Sequence, residues 1–152
     1  DVTRVIASAI ELTETYLAKA DVSLEYHAPE NPVWVRGGEV RLGQVFVNLI
    51  TNAADAMTGA QTRKLTIRIE LDAAVSVQFR DTGPGIEMPD KMFDPFYTTK
   101  SVGGSSGMGL GLSISYGIVQ SFGGQIRGRN LDEGGAMFSV RLERADMIED
   151  AA

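Results

Sequence analysis

The sequence predicts an α+β fold, a two-layer sandwich with helices on one face of a mixed, mostly antiparallel sheet. Two segments, about residues 1–20 and 39–57, carry apolar residues at helical spacing. KLTIRIEL and VSVQFRD alternate apolar and polar residues around a tight DAA connection, as in a hairpin with one buried face. A helix layer packed on a sheet buries the apolar stripe of each helix and the apolar face of the sheet against each other.

The elements are expected in the following order. The opening apolar stripe predicts one amphipathic helix, and it comprises Val2, Val5, Ile6, Ala9, Thr13, Tyr16, Leu17 and Ala20. VSLEYHAP and PVWVRGG, bounded by prolines, predict short strands. The helix at 39–57 turns a second stripe to the core, formed by Leu42, Val45, Phe46, Leu49, Ile50, Ala53 and Met57. After the hairpin we expect irregular chain at 82–109, a helix at about 110–121 ended by Gly123 and Gly124, and the strands GQIRGRN and AMFSVRLER.

Composition excludes several classes of function. The 152 residues suffice for one domain with a core, and no apolar run approaches the roughly 18 residues of a membrane span. The absence of cysteine excludes disulfides and thiolate metal sites, and the single histidine, His27, excludes a multi-histidine site. A net charge of −6 argues against nucleic acid as a partner. Because the chain begins with Asp1 rather than methionine, we expect it to be a piece of a longer protein.

A glycine-rich segment precedes the last helix and contains five glycines between Gly103 and Gly111. It lacks the lysine and hydroxyl residue of a Walker loop and the spacing of a Rossmann turn. Glycines that lead into a helix still expose backbone N–H groups that suit an anion. By itself the segment fits a phosphate-binding loop and a flexible surface loop equally well.

Two further features carry polar groups suited to a ligand. Asn48 and Asn52 are four residues apart and therefore stack on the helix face opposite the core, although asparagine is a poor helix former. Their amide oxygens suit Mg²⁺, and contact with a neighbouring loop is the alternative. Asp81 ends a predicted strand before Gly83 and Gly85. Its carboxylate could accept the amine of an adenine ring, or it could simply begin a turn.

In their order and spacing these segments resemble a known family. RLGQVFVNLITNAADAM, DTGPGI, DPFYTTK and GMGLGLSIS are similar to the N, G1, F and G2 boxes of the sensor histidine kinase catalytic domain, whose ATP-binding fold is shared with the gyrase, Hsp90 and MutL ATPases. The resemblance spans essentially residues 1–152 as one ATP-binding domain. DPFYTTK and GLGLSISYGIVQSFGG most resemble the nitrogen-regulation and C4-dicarboxylate-transport sensors.

The resemblance implies ATP and Mg²⁺ as cofactors and a role for each matched residue. Asn52 would be the Mg²⁺ ligand, Asn48 its neighbour facing the phosphates, and Asp81 the acceptor of the adenine amine. Lys100, in an ATP lid at about 97–107, would contact phosphate and join Asn48 and Asn52 in catalysis. The remaining implied nucleotide contacts are Asp55, Gly83, Gly85, Ile86, Phe93, Gly107, Met108, Gly109, Leu110 and Gly111, with Phe96 as a second aromatic of the F box. Phe93 and Phe96 could instead be core residues, and Lys100 a solvated charge.

Two positions depart from the family pattern. Asp55 stands where many of these kinases carry lysine or arginine, so phosphate neutralisation would depend more on Mg²⁺, Lys100 and backbone N–H groups. Ala136 stands where threonine is common, so hydroxyl support for Asp81 would be missing. Hydrolysing members resemble each other in having a glutamate at the position of Asn48. Since an amide cannot accept a proton, we expect a kinase rather than an efficient ATPase.

The phosphoacceptor is expected outside this chain. His27 lies in EYHAPEN and lacks the H-E-x-x-x-P pattern of acceptor helices, so we expect it to be structural or a surface residue. The implied partners are a dimerisation and histidine-phosphoacceptor domain of the parent and, indirectly, a response regulator. We expect a monomeric cytoplasmic domain of an inner-membrane sensor. A hydrolytic ATPase of the same fold and a non-catalytic ATP-binding module are the alternatives, and the lid should order when MgATP binds.

Overall fold

The computed structural model describes residues 1–87 and 111–145. Within them the chain forms four helices and five strands. In chain order these are α1 (Val2–Leu12), α2 (Glu14–Lys19), β1 (Ser23–His27), α3 (Glu39–Ala56), β2 (Lys64–Leu71), β3 (Val75–Asp81), α4 (Gly111–Ser121), β4 (Gln125–Asn130) and β5 (Ala136–Leu142).

The five strands form one mixed sheet in the order β1-β2-β3-β5-β4. Only the β1–β2 pair is parallel among these strands, and the other three pairs are antiparallel. The predicted hairpin is present, with Leu65 opposite Asp81 at its open end and Leu71 opposite Val75 beside the turn. The predicted α+β sandwich is therefore confirmed.

The core lies between the sheet and α3. Alternation in β2 and β3 turns Leu65, Ile67 and Phe79 toward the helices, where each is almost completely buried. Phe46 of α3 packs on Phe79 with ring centroids 5.9 Å apart. Burial of one such aromatic contributes on the order of 3 kcal/mol, so this contact anchors the helix that carries Asn48 and Asn52.

The opening segment differs from the single helix that its apolar stripe predicts. The helix is interrupted at Thr13, which has φ −101° and ψ 5° and separates α1 from α2. The buried hydroxyl of Thr13 donates to the Ala9 carbonyl at 2.8 Å, an alternative to helical pairing that threonine offers the backbone. After this break Tyr16 is 38% exposed, although its position in the stripe predicted burial.

The PVWVRGG segment was predicted to be a strand, and this prediction was wrong. Its backbone hydrogen bonds are divided between two neighbours, so no continuous ladder forms. The N–H of Val2 donates to the Val33 carbonyl at 2.8 Å, which ties the segment to the start of α1. Farther along, Val35 and Arg144 form an isolated bridge.

The last helix ends as predicted, because Gly123, two residues after the end of α4 at Ser121, adopts a left-handed φ of 76°. The irregular chain expected at 82–109 is described as far as residue 87, and there it is irregular. No helix among the described residues is long and apolar enough to cross a membrane.

Candidate nucleotide-binding site

Asp81 lies at the end of β3 with its side chain on the helix-covered face of the sheet, because it pairs with Leu65 of β2. It is 4% exposed. Its Oδ1 atom accepts hydrogen bonds from the backbone N–H groups of Gly83 at 2.9 Å and Ala136 at 3.2 Å. The second carboxylate oxygen, Oδ2, makes no hydrogen bond within residues 1–87 and 111–145. Two backbone amides thus orient a buried acceptor whose other oxygen is available to a ligand.

Burial raises the pKa of the Asp81 carboxyl above its ordinary value, and the N–H groups of Gly83 and Ala136 oppose this rise. The direction follows from the cost of removing a charge from water. An N–H donor of a ligand at Oδ2 would stabilise the charged form further. The site therefore favours a ligand with an amine over one with a carbonyl at the same place.

The predicted departure at Ala136 has a structural counterpart. This residue has no hydroxyl, and its backbone N–H bonds to Asp81 instead. The neighbouring Gly135, with φ +90°, approaches so closely that an added Cβ would lie 2.1 Å from the Asp81 carbonyl oxygen. The turn before β5 therefore packs directly against the backbone of Asp81.

The glycines after Asp81 are required by neighbouring protein atoms. A Cβ at Gly83 would lie 3.1 Å from the Ala56 carbonyl at the end of α3. At Gly85, where φ is +96°, it would lie 2.6 Å from Oδ1 of Asn130. Both glycines were predicted to shape the adenine pocket, and the structure places them in the turn beside Asp81.

The side chain of Asn130 holds the half-buried Ile86 by its backbone. Asn130 Oδ1 accepts from the Ile86 N–H at 2.5 Å, and its Nδ2 donates to the Ile86 carbonyl at 3.1 Å. At the other end of this turn, the Thr82 hydroxyl donates to the Thr62 carbonyl at 2.9 Å and accepts from the Lys64 N–H at 3.0 Å. The turn is anchored at both ends.

Asn48 and Asn52 are both half-buried on the face of α3 that meets α4. Asn48 Nδ2 donates to the hydroxyl of Ser115, a completely buried residue of α4, at 3.3 Å. A Cβ added at Gly111, the first residue of α4, would lie 3.8 Å from Asn52 Nδ2. The structure therefore brings the asparagine face together with the first turn of α4.

Asp55 lies three residues beyond Asn52 on α3 and accepts a hydrogen bond from the Tyr16 hydroxyl of α2. Burial, this hydrogen bond and the Asp55 charge together raise the Tyr16 pKa to about 12. The Asp55 carboxylate, which stands where many of these kinases carry lysine or arginine, is thus hydrogen-bonded to Tyr16.

One helix links the two groups of site residues. The end of α3 contacts Gly83, and Asn52, one turn earlier, contacts Gly111. One helical turn advances by about 5.4 Å, so the asparagines and the Asp81 turn lie along the same short stretch of α3.

Sequence reasoning missed four residues of this arrangement, Thr82, Ser115, Asn130 and Gly135. Of these, only Gly135 had a local signal in the sequence, the glycine pair before AMFSVRLER. Seven predicted residues, together with the lid at about 97–107, lie outside the described part of the chain. They are Phe93, Phe96, Lys100, Gly107, Met108, Gly109 and Leu110. In the described ranges no cluster of three or more histidine, aspartate or glutamate side chains could hold a metal ion.

Residues 37–146 match the family of histidine kinase-, DNA gyrase B- and HSP90-like ATPases. The chain is 35% identical over 141 residues to the C4-dicarboxylate transport sensor protein DctB of Pseudomonas aeruginosa, covering 90% of this chain and 23% of that protein. It is 35% identical over 130 residues to the sensor protein FixL of Bradyrhizobium diazoefficiens, covering 83% of this chain and 25% of that protein. The chain thus spans about a quarter of the length of these relatives.

Solved structures agree with these similarities. The catalytic domain of the histidine kinase ThkA superposes with a TM-score of 0.80 at 28% identity, covering 95% of this chain and 93% of that one. The resemblance to sensor histidine kinases is confirmed, including the similarity to C4-dicarboxylate sensors. ATP is the ligand that the family implies. The chain belongs to the histidine kinase-, DNA gyrase B- and HSP90-like ATPases and is an ATP-binding domain of the sensor histidine kinase kind.

Proposed function

We propose that this chain binds MgATP beside α3 and presents the γ-phosphate to a histidine on a separate domain of its parent sensor kinase. The observation that carries the proposal is the Asp81 carboxylate, held by two backbone N–H groups with Oδ2 available. The Asp81 carboxylate lies near the stretch of α3 that carries Asn48 and Asn52. This arrangement suits a ligand with an amine at one end and metal-bound anions at the other.

Adenine recognition is assigned to Asp81, with Gly83 and Gly85 in the adjoining turn. Oδ2 would accept the exocyclic amine, and the Gly83 and Ala136 amides keep the carboxylate in position. Guanine offers a carbonyl where adenine has its amine, so GTP would place two acceptors against each other.

Phosphate binding is assigned to the asparagine face and the first turn of α4. Asn52 would hold Mg²⁺ through its amide oxygen, a neutral ligand of the type this ion accepts. Bound Mg²⁺ would neutralise part of the triphosphate charge. Asn48 lies one turn earlier on α3, and Gly111 is the first described residue of α4, whose N-terminal N–H groups would suit an anion.

The choice between phosphate transfer and hydrolysis depends on Asn48. Its amide cannot remove a proton from water, so the site lacks the base that hydrolysing relatives carry there. Transfer to an external acceptor needs mainly positioning and charge stabilisation. We therefore favour the kinase over the hydrolytic ATPase.

His27 does not serve as the acceptor in this proposal. It lies on β1, an edge strand of the sheet, and its ring contacts Glu25 at 3.4 Å. The acceptor would instead belong to a dimerisation domain of the parent, which would pass the phosphate to a response regulator. The parent would be an inner-membrane sensor with this domain in the cytoplasm.

Calorimetric titration with a non-hydrolysable ATP analogue tests the site. Asp81→Asn should weaken binding by about 1–3 kcal/mol, the cost of a disrupted charged hydrogen bond. Asn52→Ala should remove the Mg²⁺ dependence of binding while the circular dichroism spectrum stays unchanged. Equal affinity for ATP and GTP would contradict the role of Asp81, and retained Mg²⁺ dependence in Asn52→Ala would contradict that of Asn52.

Incubation with γ-labelled ATP tests the transfer. The chain alone should gain no stable label, and the parent's acceptor domain added separately should be labelled on histidine. Steady ATP turnover by the chain alone would favour the hydrolytic ATPase. Tight binding without any labelling of the acceptor domain would favour a non-catalytic regulatory module.

A further inference from the structure

The sheet has a second face, here called the open face, formed by the side chains that alternate with the core residues. Most of its described side chains are exposed or half-buried, and Met137 is buried. The open face carries five arginines, Arg68, Arg80, Arg127, Arg129 and Arg141. Such a concentration of positive charge is unexpected in a chain whose net charge is −6.

Strand register places three of these side chains together, and we call Arg127, Arg129 and Arg141 the arginine triad. Arg127 pairs with Ser139 of β5, and Arg141 lies two residues farther along the same strand. Diagonal neighbours of this kind are about 7–8 Å apart. Arg127 and Arg129 alternate on β4 and are separated by about 7 Å.

The triad makes no ion pair and no side-chain hydrogen bond with any described residue. All three arginines are exposed. Within the paired strands the acidic side chains of the open face, Glu25 and Glu70, belong to β1 and β2. Glu143, directly after β5, lies near Arg141 and pairs with Arg36 at 3.8 Å. Charges this close lie within one Debye length, so the triad concentrates positive charge on this part of the sheet, while the nearby Glu143 carboxylate is paired with Arg36.

A groove of about 470 Å³ runs beside the triad. Its polar lining is formed by Ser76, Gln125, Arg127, Ser139, Arg141 and Glu143. The Glu143 carboxylate has Arg36 as its own partner, at 3.8 Å. The serine hydroxyl groups and the Gln125 amide are hydrogen-bond donors. The groove can therefore receive carboxylates that are paired with arginine and hydrogen-bonded to these groups.

We propose that the groove and the arginine triad bind an extended acidic segment of a partner protein. Alternate residues of an extended chain are about 7 Å apart, which matches the separation of the triad side chains. Carboxylates at every second position would meet successive arginines, while the intervening side chains point to solvent.

Two observations favour an acidic polypeptide over nucleic acid. The strands that form the open face contribute no phenylalanine, tyrosine or tryptophan to it in the described part of the chain, and single-stranded nucleic acids are bound largely by stacking on such rings. The chain is also acidic as a whole, which opposes the long-range attraction of a polyphosphate backbone.

The surface is independent of the proposed nucleotide site. Asp81 pairs with Leu65 and faces the helices, whereas the triad lies on the other face of the sheet. Loss of acidic-segment binding should therefore leave ATP binding unchanged.

Fluorescence anisotropy tests the proposal with a labelled octapeptide of alternating glutamate and serine. The triple variant R127S/R129S/R141S should bind it about tenfold more weakly, as expected for three exposed ion pairs. A charge-matched control, R4S/K19S/R41S, replaces exposed cations of the helices and should keep the wild-type affinity within about twofold. ATP binding and the urea midpoint of each variant report on folding.

Four outcomes would overturn the proposal. They are equal weakening in both triple variants, equal binding of a glutamine–serine octapeptide, tighter binding of an oligothymidylate of the same length, and equal binding of a peptide with four glutamates followed by four serines. The last outcome would show that charge alone, without the alternate spacing, accounts for binding.

Discussion

The two ends of the candidate nucleotide site differ in which groups of the chain hold them. At the Asp81 end, backbone N–H groups orient the carboxylate and Gly135 packs against the Asp81 carbonyl with no room for a side chain. At the asparagine end, Asn48 donates a hydrogen bond of 3.3 Å to the Ser115 side chain, and Asn52 Nδ2 lies 3.8 Å from the Cβ position of Gly111. The end proposed for base recognition is therefore oriented by backbone groups, whereas the end proposed for phosphate includes a hydrogen bond between two side chains.

The largest expected effect is at the Asp81 end, where Gly135 packs against the Asp81 backbone. In Gly135→Ala the new Cβ would lie 2.1 Å from the Asp81 carbonyl oxygen, and φ is +90°. Overpacking and left-handed strain together should lower the free energy of unfolding by about 2–5 kcal/mol, measured by urea denaturation. Gly134→Ala is the matched control, because its φ is +100° and its Cβ would meet nothing within 4 Å. Equal losses in the two variants would contradict the close approach at Gly135.

Asn130 provides the next test of the same end. Asn130→Ala removes both hydrogen bonds to the Ile86 backbone and should lower the free energy of unfolding by about 1–2 kcal/mol in urea denaturation. Asn130→Asp retains the acceptor for the Ile86 N–H and should lose less. If the alanine variant unfolded at the wild-type urea concentration, the turn after Asp81 would not depend on this amide.

The raised pKa of Asp81 gives a pH-dependent test. The folded state binds the proton more tightly than the unfolded chain, so the fold loses stability as pH rises from 3.8 through the native pKa. Asn in this place cannot ionise, so the stability of Asp81→Asn relative to wild type should increase over this range and then level off. The increase is about 1.4 kcal/mol for each unit by which the pKa is raised. A difference that stays constant with pH in urea titrations would contradict the raised pKa.

The smallest effect is expected at the phosphate end. In Gly111→Ala the new Cβ makes an ordinary contact of 3.8 Å with Asn52, and helical alanine is favoured over glycine by about 0.5–1 kcal/mol. The nucleotide-free protein should therefore keep or slightly raise its urea midpoint. Gly117→Ala in the same helix, where a Cβ meets nothing within 4 Å, gives the reference gain. If Gly111→Ala, but not Gly117→Ala, lowered the free energy of unfolding by more than about 1 kcal/mol, the expected difference between Gly111 and Gly135 would be contradicted.

The parts that the sequence predicted correctly have local signals. Strict alternation located β2 and β3 with their shared turn, and a strong apolar stripe located α3. Asp81 could be singled out because it ends an alternating segment before two glycines. The residues proposed for the site were identified through motifs, and their roles in binding stay predictions.

The parts that the sequence did not predict depend on contacts between distant residues. Asn130 bonds to a residue 44 positions away, and the Ala136 amide to one 55 positions away, so no local pattern marks them. The segment at 32–38 has the composition of a strand, but it pairs only through the isolated bridge between Val35 and Arg144 and not along its whole length. The break at Thr13 depends on whether a hydroxyl bonds to the preceding turn, and helical periodicity does not report this.

The backbone amide of Ala136 has a consequence for how this site tolerates mutation. An N–H group belongs to every residue except proline, so substitutions at position 136 leave the donor to Asp81 in place unless they move the backbone. A comprehensive mutational scan should find Asp81 intolerant and position 136 permissive to small residues, with proline as the exception. Most substitutions at position 136 should therefore leave the orientation of the Asp81 carboxylate unchanged, because a backbone N–H group and not a side chain donates the hydrogen bond.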